Sequence, residues 1–222
     1  MRFIGDVHGH YGRYRELIRG VSASIQVGDM GIGFRRAQGP NMGEVYGNPP
    51  HYAMVQGDHR FIRGNHDNPS ECRKHSQWIP DGHFENEMMF VGGAASIDKV
   101  YRVEGYSWWP DEELPIAELN RMIDLYIERK PKVMVTHDCP EEVASAICAT
   151  MPMIGGGAIK LDIGSRTRQA LQSMWSAHSP GLWLFGHWHM SFDHVLHGGR
   201  VEGTRFICLA ELEYKDLRIE GP

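Results

Sequence analysis

A chain of 222 residues, 41% hydrophobic and 23% charged, is long enough to bury one sizeable core and has the make-up of an ordinary globular domain. Its formal charge of −5 argues against a general nucleic-acid binder that works by neutralising backbone phosphates. No apolar run of about 18 residues offers a membrane span, and Asp6 interrupts the first apolar run too early for a signal peptide.

In chain order, Met1 to Gly5 reads as a short buried strand stopped by Asp6. Tyr14, Leu17 and Ile18 recur at helical spacing within 11–19, and Ile25 to Gly28 is a second strand that ends in an aspartate, Asp29. Gly31 to Tyr52 is rich in Gly, Pro and Asn without periodicity and reads as a long loop. Arg60 to Arg63 leads into Gly64-Asn65-His66-Asp67, and Met88 to Val91 runs into Gly92-Gly93. Ile116 to Arg129 is the clearest amphipathic helix, with Leu119, Met122, Ile123 and Ile127 on one stripe and a proline beside each end. Val133 to Val135 delivers His137. Met151 to Gly164 reads as a second long loop, Thr167 to Trp175 as a helix, and Leu182 to Phe185 as the strand before His187 and His189. Short β-rich pieces with a turn at Gly198-Gly199 follow from Phe192.

The recurring unit is a strand, a polar residue and a loop. Ligand sites in open α/β sheets lie outside the carboxyl ends of strands, so five such units predict one shared rim. Along that rim the chain offers two carboxylates (Asp6, Asp29), one amide (Asn65) and four imidazoles (His8, His137, His187, His189), with His66 left over. That is the number of oxygen and nitrogen donors that two divalent cations sharing one carboxylate require. Two divalent ions would outweigh Asp6, Asp29 and a bound hydroxide, so the local field is positive although the chain is acidic.

Asp6-Val7-His8, Gly28-Asp29, Gly64-Asn65-His66-Asp67, Thr136-His137 and Gly186-His187-Trp188-His189 occur in the order of the calcineurin-like metallophosphoesterase superfamily. From Asp6 to His189 the chain resembles that family, and its small bacterial and phage members in particular. The resemblance implies an α/β four-layer sandwich of two mixed β-sheets flanked by helices, as a single domain over residues 1–222. It implies one cation held by Asp6, His8, Asp29 and His189 and a second by Asp29, Asn65, His137 and His187, with Asp29 bridging. It further implies two divalent ions, manganese first and iron, zinc or nickel as alternatives, and a bridging hydroxide that attacks phosphorus in line. His66 resembles the family histidine that protonates the leaving oxygen or steadies the transition state. Asp67 beside it is expected to raise its pKa and fix its tautomer, and Asn65 and His66 together to face the substrate.

One departure bears on specificity. Gly28-Asp29-Met30-Gly31 lacks the arginine with which protein phosphatases of that family clamp phosphate. Arg35 and Arg36, in the loop after Asp29, read first as a solvated charge pair and in the alternative as a replacement for that clamp. Trp108 and Trp109 read as loop packing rather than base stacking, Arg166 and Arg168 as a solvated helix face, and His10 as a neighbour of the ligands or a solvent-facing residue. The expected partner is a small-molecule or nucleotide phosphoester, monoester or diester, with no membrane and no strong nucleic-acid binding. A nuclease of the same family and a non-catalytic scaffold are the alternatives. Cys72, Cys139, Cys148 and Cys208 show no paired spacing and read as reduced thiols of a cytoplasmic protein.

Overall fold

Most strands of this chain carry apolar side chains on both faces, so each face needs its own cover. The computed structural model describes residues 1–35, 46–150 and 164–219. Its elements in order are β1 (Arg2–Ile4), α1 (Tyr11–Ile18), β2 (Ala23–Gln26), a one-turn helix α2 (His51–Met54), β3 (Asp58–Phe61), a second one-turn helix α3 (Pro69–Cys72), β4 (Phe84–Glu85), β5 (Met88–Val91), a 3-10 turn (Lys99–Tyr101), α4 (Ile116–Arg129), β6 (Val133–Thr136), α5 (Glu141–Thr150), α6 (Arg166–Ala177), β7 (Leu182–Phe185), β8 (Phe192–Leu196), β9 (Thr204–Cys208) and β10 (Tyr214–Asp216).

The strands form two mixed sheets, ordered β10-β1-β2-β3 and β4-β5-β6-β7-β9-β8. In the first, β1, β2 and β3 run parallel and β10 pairs antiparallel at the edge. In the second, β5, β6, β7 and β9 run parallel between antiparallel edge strands β4 and β8.

Period-two alternation assigns the layers. Phe3 and Ile25 from the first sheet meet Phe90, Val135, Leu184 and Ile207 from the second in one cluster, which is the space between the sheets. Their neighbours Met89, Met134, Trp183 and Phe206 point the other way, onto α4, α5 and α6. Ile4 and Phe61 point outward from the first sheet onto Tyr14, Leu17 and Ile18 of α1. Three apolar spaces therefore separate four layers of one domain, as the sequence led us to expect.

The helix at Ile116–Arg129 begins after Pro115 and stops where Lys130 turns left-handed (φ 46°) ahead of Pro131. Its buried stripe differs from the expected one. Leu119 and Tyr126 are the buried residues, while Ile127 is 46% exposed. Tyr126 wins the inward position because its ring packs in the cluster under α4 and its hydroxyl donates to the His178 carbonyl at 2.8 Å. Of the first expected loop, 36–45 lies outside the described residues, and α2 closes its end. Of the second, only Gly164 is described. All four cysteines are free. No helix among the described residues is long and apolar enough to cross a membrane.

Candidate metal centre

The parallel strands of both sheets deliver their polar residues to one end of the sandwich. Asp6 and His8 follow β1, Asp29 follows β2, Asn65 and His66 follow β3, His137 follows β6, and His187 and His189 follow β7. Asp6, Asp29, Asn65 and His137 are buried, His8, His66 and His187 are partly buried, and His189 is exposed. The cluster thus opens to solvent on the side of His189.

Two groups of donors share Asp29. In the first, one ligand atom each from Asp6, His8, Asp29 and His189 lie within 4.8 Å of one another. The Nε2 atoms of His8 and His189 are 2.9 Å apart, and His189 Nε2 is 3.2 Å from Asp6 Oδ2. In the second, Asn65 Oδ1 lies 3.0 Å from both His137 Nε2 and His187 Nδ1, and His137 Nε2 is 3.3 Å from Asp29 Oδ1. Metal–nitrogen bonds of about 2.0–2.1 Å place neighbouring ligand atoms roughly 3.0–3.4 Å apart around an ion, which is the spacing of these pairs.

The hydrogen bonds around the second group dictate which atoms face inward. Ser96 Oγ donates to Glu112 Oε2 at 2.5 Å and accepts from Asn65 Nδ2 at 3.1 Å, so the Asn65 amide turns its oxygen toward the imidazoles. His137 Nδ1 donates to the Val27 carbonyl at 3.0 Å, which leaves Nε2 its lone pair. Lone pairs of His137, Asn65 and Asp29 then converge with no donor among them. Such a set repels itself unless a cation or a proton sits between. Burial alone would lower the His137 pKa, yet Asp29 beside it raises it to about 10. Burial would raise Asp29, and the imidazoles of His137, His66 and His8 hold it well below the usual carboxylate range instead. The site favours positive charge, and its donor set fits two divalent cations.

The backbone is forced into place here. His8 (φ 45°), Asp29 (φ 58°), His187 (φ 67°) and His189 (φ 50°) all adopt the left-handed region, at a cost of roughly 1–3 kcal/mol each for a residue with a side chain. Strain of this kind concentrated on candidate ligands is the pattern of a functional site. Two glycines make the approach of carboxylates possible. A Cβ on Gly64 would overlap Asp29 Oδ1, and one on Gly186 would overlap Asp6 Oδ1. Each carboxylate is also held by a backbone amide: His66 N–H donates to Asp29 Oδ1 at 2.7 Å, and His187 N–H lies 3.0 Å from Asp6 Oδ2.

Several expectations need correction. Asp67 does not touch the His66 ring. Its carboxylate is fully buried and accepts from the amides of Gly31, Ile32 and Gly64 at 2.7–2.8 Å, with Met30 N–H at 3.2 Å. It clips the chain after Asp29 to the chain after β3, and burial with Asp29 close by pushes its own pKa up against the amides of Gly64, Ile32 and Gly31. His66 is consequently not raised. Burial pushes it well down, Asp29 opposes this, and Arg102 adds to it. His66 Nε2 meets the Arg102 guanidinium, and its ring stacks on Phe34 with centroids 4.8 Å apart. Arg35 is exposed, with its guanidinium 5.6 Å above the Tyr106 ring, and makes no contact with the candidate ligands among the described residues. Arg36 lies outside the described residues. Arg168 is not solvated: it is 3% exposed and its Nε lies 3.0 Å from Asp138 Oδ2. It is buried because α6 turns it under the loop that carries His137. Arg166 is partly exposed and donates to the carbonyls of Glu113 and Leu114. Trp109 packs into the fold, and His10 faces solvent near Glu211.

Residues that the sequence reading passed over hold much of this arrangement. Arg63, fully buried against Asp81, donates to the Asp111 and Glu112 carbonyls and so fixes the segment that carries Glu112. Its only sequence signal was a charge at the end of a strand. Arg102, Ser96 and Glu112 fall in the polar and aromatic tract 96–112, whose density of Ser, Asp, Trp and Arg was the available hint. The chain matches no protein-family model and no curated protein, so its functional reading rests on these residues and their geometry.

Proposed function

We infer that this chain is a metal-dependent phosphoesterase of the calcineurin-like type, acting on phosphomonoesters or phosphodiesters of small molecules or nucleotides. The observation that carries the reading is the convergence of acceptor atoms in two groups that share Asp29. Asp6, His8, Asp29 and His189 would hold one divalent ion, and Asp29, Asn65, His137 and His187 the other. When bound, such ions supply Lewis acidity toward phosphoryl oxygens and lower the pKa of water toward neutrality. The imidazole-rich donor set favours manganese, iron, zinc or nickel over calcium.

The chain's own residues have separate duties. Asp29 spans both groups and is oriented by the His66 amide. The Ser96–Glu112 pair keeps the Asn65 oxygen turned inward. We assign His66, next to the first group through its edge contact with His8 (centroids 4.6 Å), to the leaving oxygen. Because burial pushes its pKa down, it would need a proton taken up on substrate binding to act as the acid there. Four unpaired cysteines suit a reducing, cytoplasmic setting.

The test is a substrate panel on protein stripped by chelation and reloaded with Mn²⁺ or Mg²⁺. It compares p-nitrophenyl mono- and diesters, cyclic nucleotides, dinucleoside polyphosphates and a phosphopeptide. Activity is expected to vanish on chelation and to return better with Mn²⁺ than with Mg²⁺. Full turnover in the stripped protein would overturn the reading.

A further inference from the structure

Arg102 follows the 3-10 turn Lys99–Tyr101, well outside the segments that supply the donor groups, yet its side chain is only 7% exposed and reaches His66. Its Nε lies 2.6 Å from Asp98 Oδ1, one nitrogen donates to the Ser107 carbonyl at 3.2 Å, and the other meets His66 Nε2. The guanidinium sits 5.6 Å over Phe34, the ring that stacks on His66, and Trp109 packs edge-on against Phe34. Arg102 is thus held from behind by Asp98, Ser107 and Phe34, and its far nitrogen lies against His66, which in turn meets His8 of the first donor group edge-on.

That far nitrogen is poorly matched to its present partner. A guanidinium keeps its charge at any relevant pH, whereas an imidazole nitrogen is an uncharged acceptor. Hydrogen bonds from a guanidinium to an anionic oxygen are roughly twice as strong as neutral ones. Asp98 is half exposed, so the carboxylate paired with Arg102 Nε is partly spent on solvent. A phosphoryl oxygen arriving beside His66 would take the guanidinium's hydrogen bond from the imidazole and free His66 Nε2 to face the ester.

We propose that Arg102 binds the non-bridging phosphoryl oxygens of the substrate, from the 96–112 segment rather than from the loop after Asp29. This rests on the phosphoesterase reading. It takes the place of the alternative reading of Arg35 and Arg36 as the clamp: Arg35 lies over the Tyr106 ring, and Arg36 is outside the described residues.

The experiment measures manganese content, inorganic phosphate binding by calorimetry and steady-state kinetics on wild type, Arg102→Ala, Arg102→Gln and Arg102→Lys. Arg102→Gln keeps a donor for the Ser107 carbonyl and guards against a folding artefact. The Ala and Gln variants should hold two Mn²⁺ per chain, as wild type does, and bind phosphate about 10–100-fold more weakly, the worth of one charged hydrogen bond. Arg102→Lys should recover only part of the loss, because an ammonium cannot reproduce the fork. A rise in KM for p-nitrophenyl phosphate alone would assign Arg102 to terminal oxygens, and an equal rise for bis(p-nitrophenyl) phosphate to the oxygens that both ester classes share.

Unchanged phosphate affinity in variants that keep both ions would overturn the assignment while wild-type turnover left the phosphoesterase reading intact. Loss of manganese in all three variants would make Arg102 a structural pin and overturn it as well. A wild type that neither binds phosphate nor hydrolyses any ester would remove the reading and the assignment together.

Discussion

The indole of Trp188 donates to Asp138 Oδ1 across 3.1 Å, tying the residue between His187 and His189 to the residue that follows His137. Asp138 Oδ2 meanwhile pairs with Arg168 at 3.0 Å, and both partners are buried. The loops that present three candidate ligands are therefore locked together through one carboxylate. Such a lock limits how far those loops can drift apart when the centre is empty of charge.

Burial alone would raise the Asp138 pKa, but His187 and Arg168 outweigh it and hold the group below the ordinary carboxylate value. A lowered folded-state pKa gives stability that is fully present above the unfolded value, about 3.9, and is lost as pH falls through the folded one. Asp138→Asn leaves Arg168 buried without its counter-charge, which typically costs about 3–5 kcal/mol. Urea unfolding should show that deficit undiminished from pH 5 to 8 and shrinking below about pH 4. A deficit that stayed constant down to pH 3 would mean that shape, rather than charge, is what Asp138 contributes.

Asp29 is the one side chain common to both donor groups. Asp29→Asn should weaken both ions at once, by more than the 10–100-fold that loss of an outer supporting residue costs. Metal analysis after gel filtration should find fewer than two ions per chain in the variant. Two tightly held ions would show that Asp29 does not bridge.

His66 separates two kinds of catalysis. If it gives a proton to the leaving oxygen, His66→Ala should keep both ions and lose roughly 10²–10⁴-fold in turnover on alkyl esters. p-Nitrophenyl esters, whose leaving group needs little protonation, should lose far less. An equal loss on both would mark His66 as a positioning group between Phe34 and Arg102, and no loss on either would remove it from the reaction.

Much of the rim was legible in the order of residues. A short apolar run ended by a polar residue is a local pattern, and Asp6, Asp29, Asn65, His137 and His187 each stand a few positions beyond such a run. The strand alternation that produced the layers is equally local, because side chains two apart share a face whatever the rest of the chain does. Asp67 and Ile127 misled for the same reason. Adjacency in sequence suggested that Asp67 serves His66, and helical spacing suggested that Ile127 is buried. Each was overruled by a distant competitor: the amides of Gly31 and Ile32 for one, the space filled by Tyr126 for the other.

What tertiary structure alone decided is the choice of partner for each buried charge. Arg102 meets His66 across 36 positions, Arg168 meets Asp138 across 30, and Arg63 meets the Glu112 carbonyl across 49. Periodicity determines which way a side chain points relative to its own strand or helix. It carries no record of which loop will be folded over that side chain, because the 96–112 tract and the start of α6 have no repeating pattern to read. A guanidinium cannot shed its charge, so once burial encloses it, the nearest carboxylate, carbonyl or imidazole becomes its partner. Only the packed chain determines which one that is.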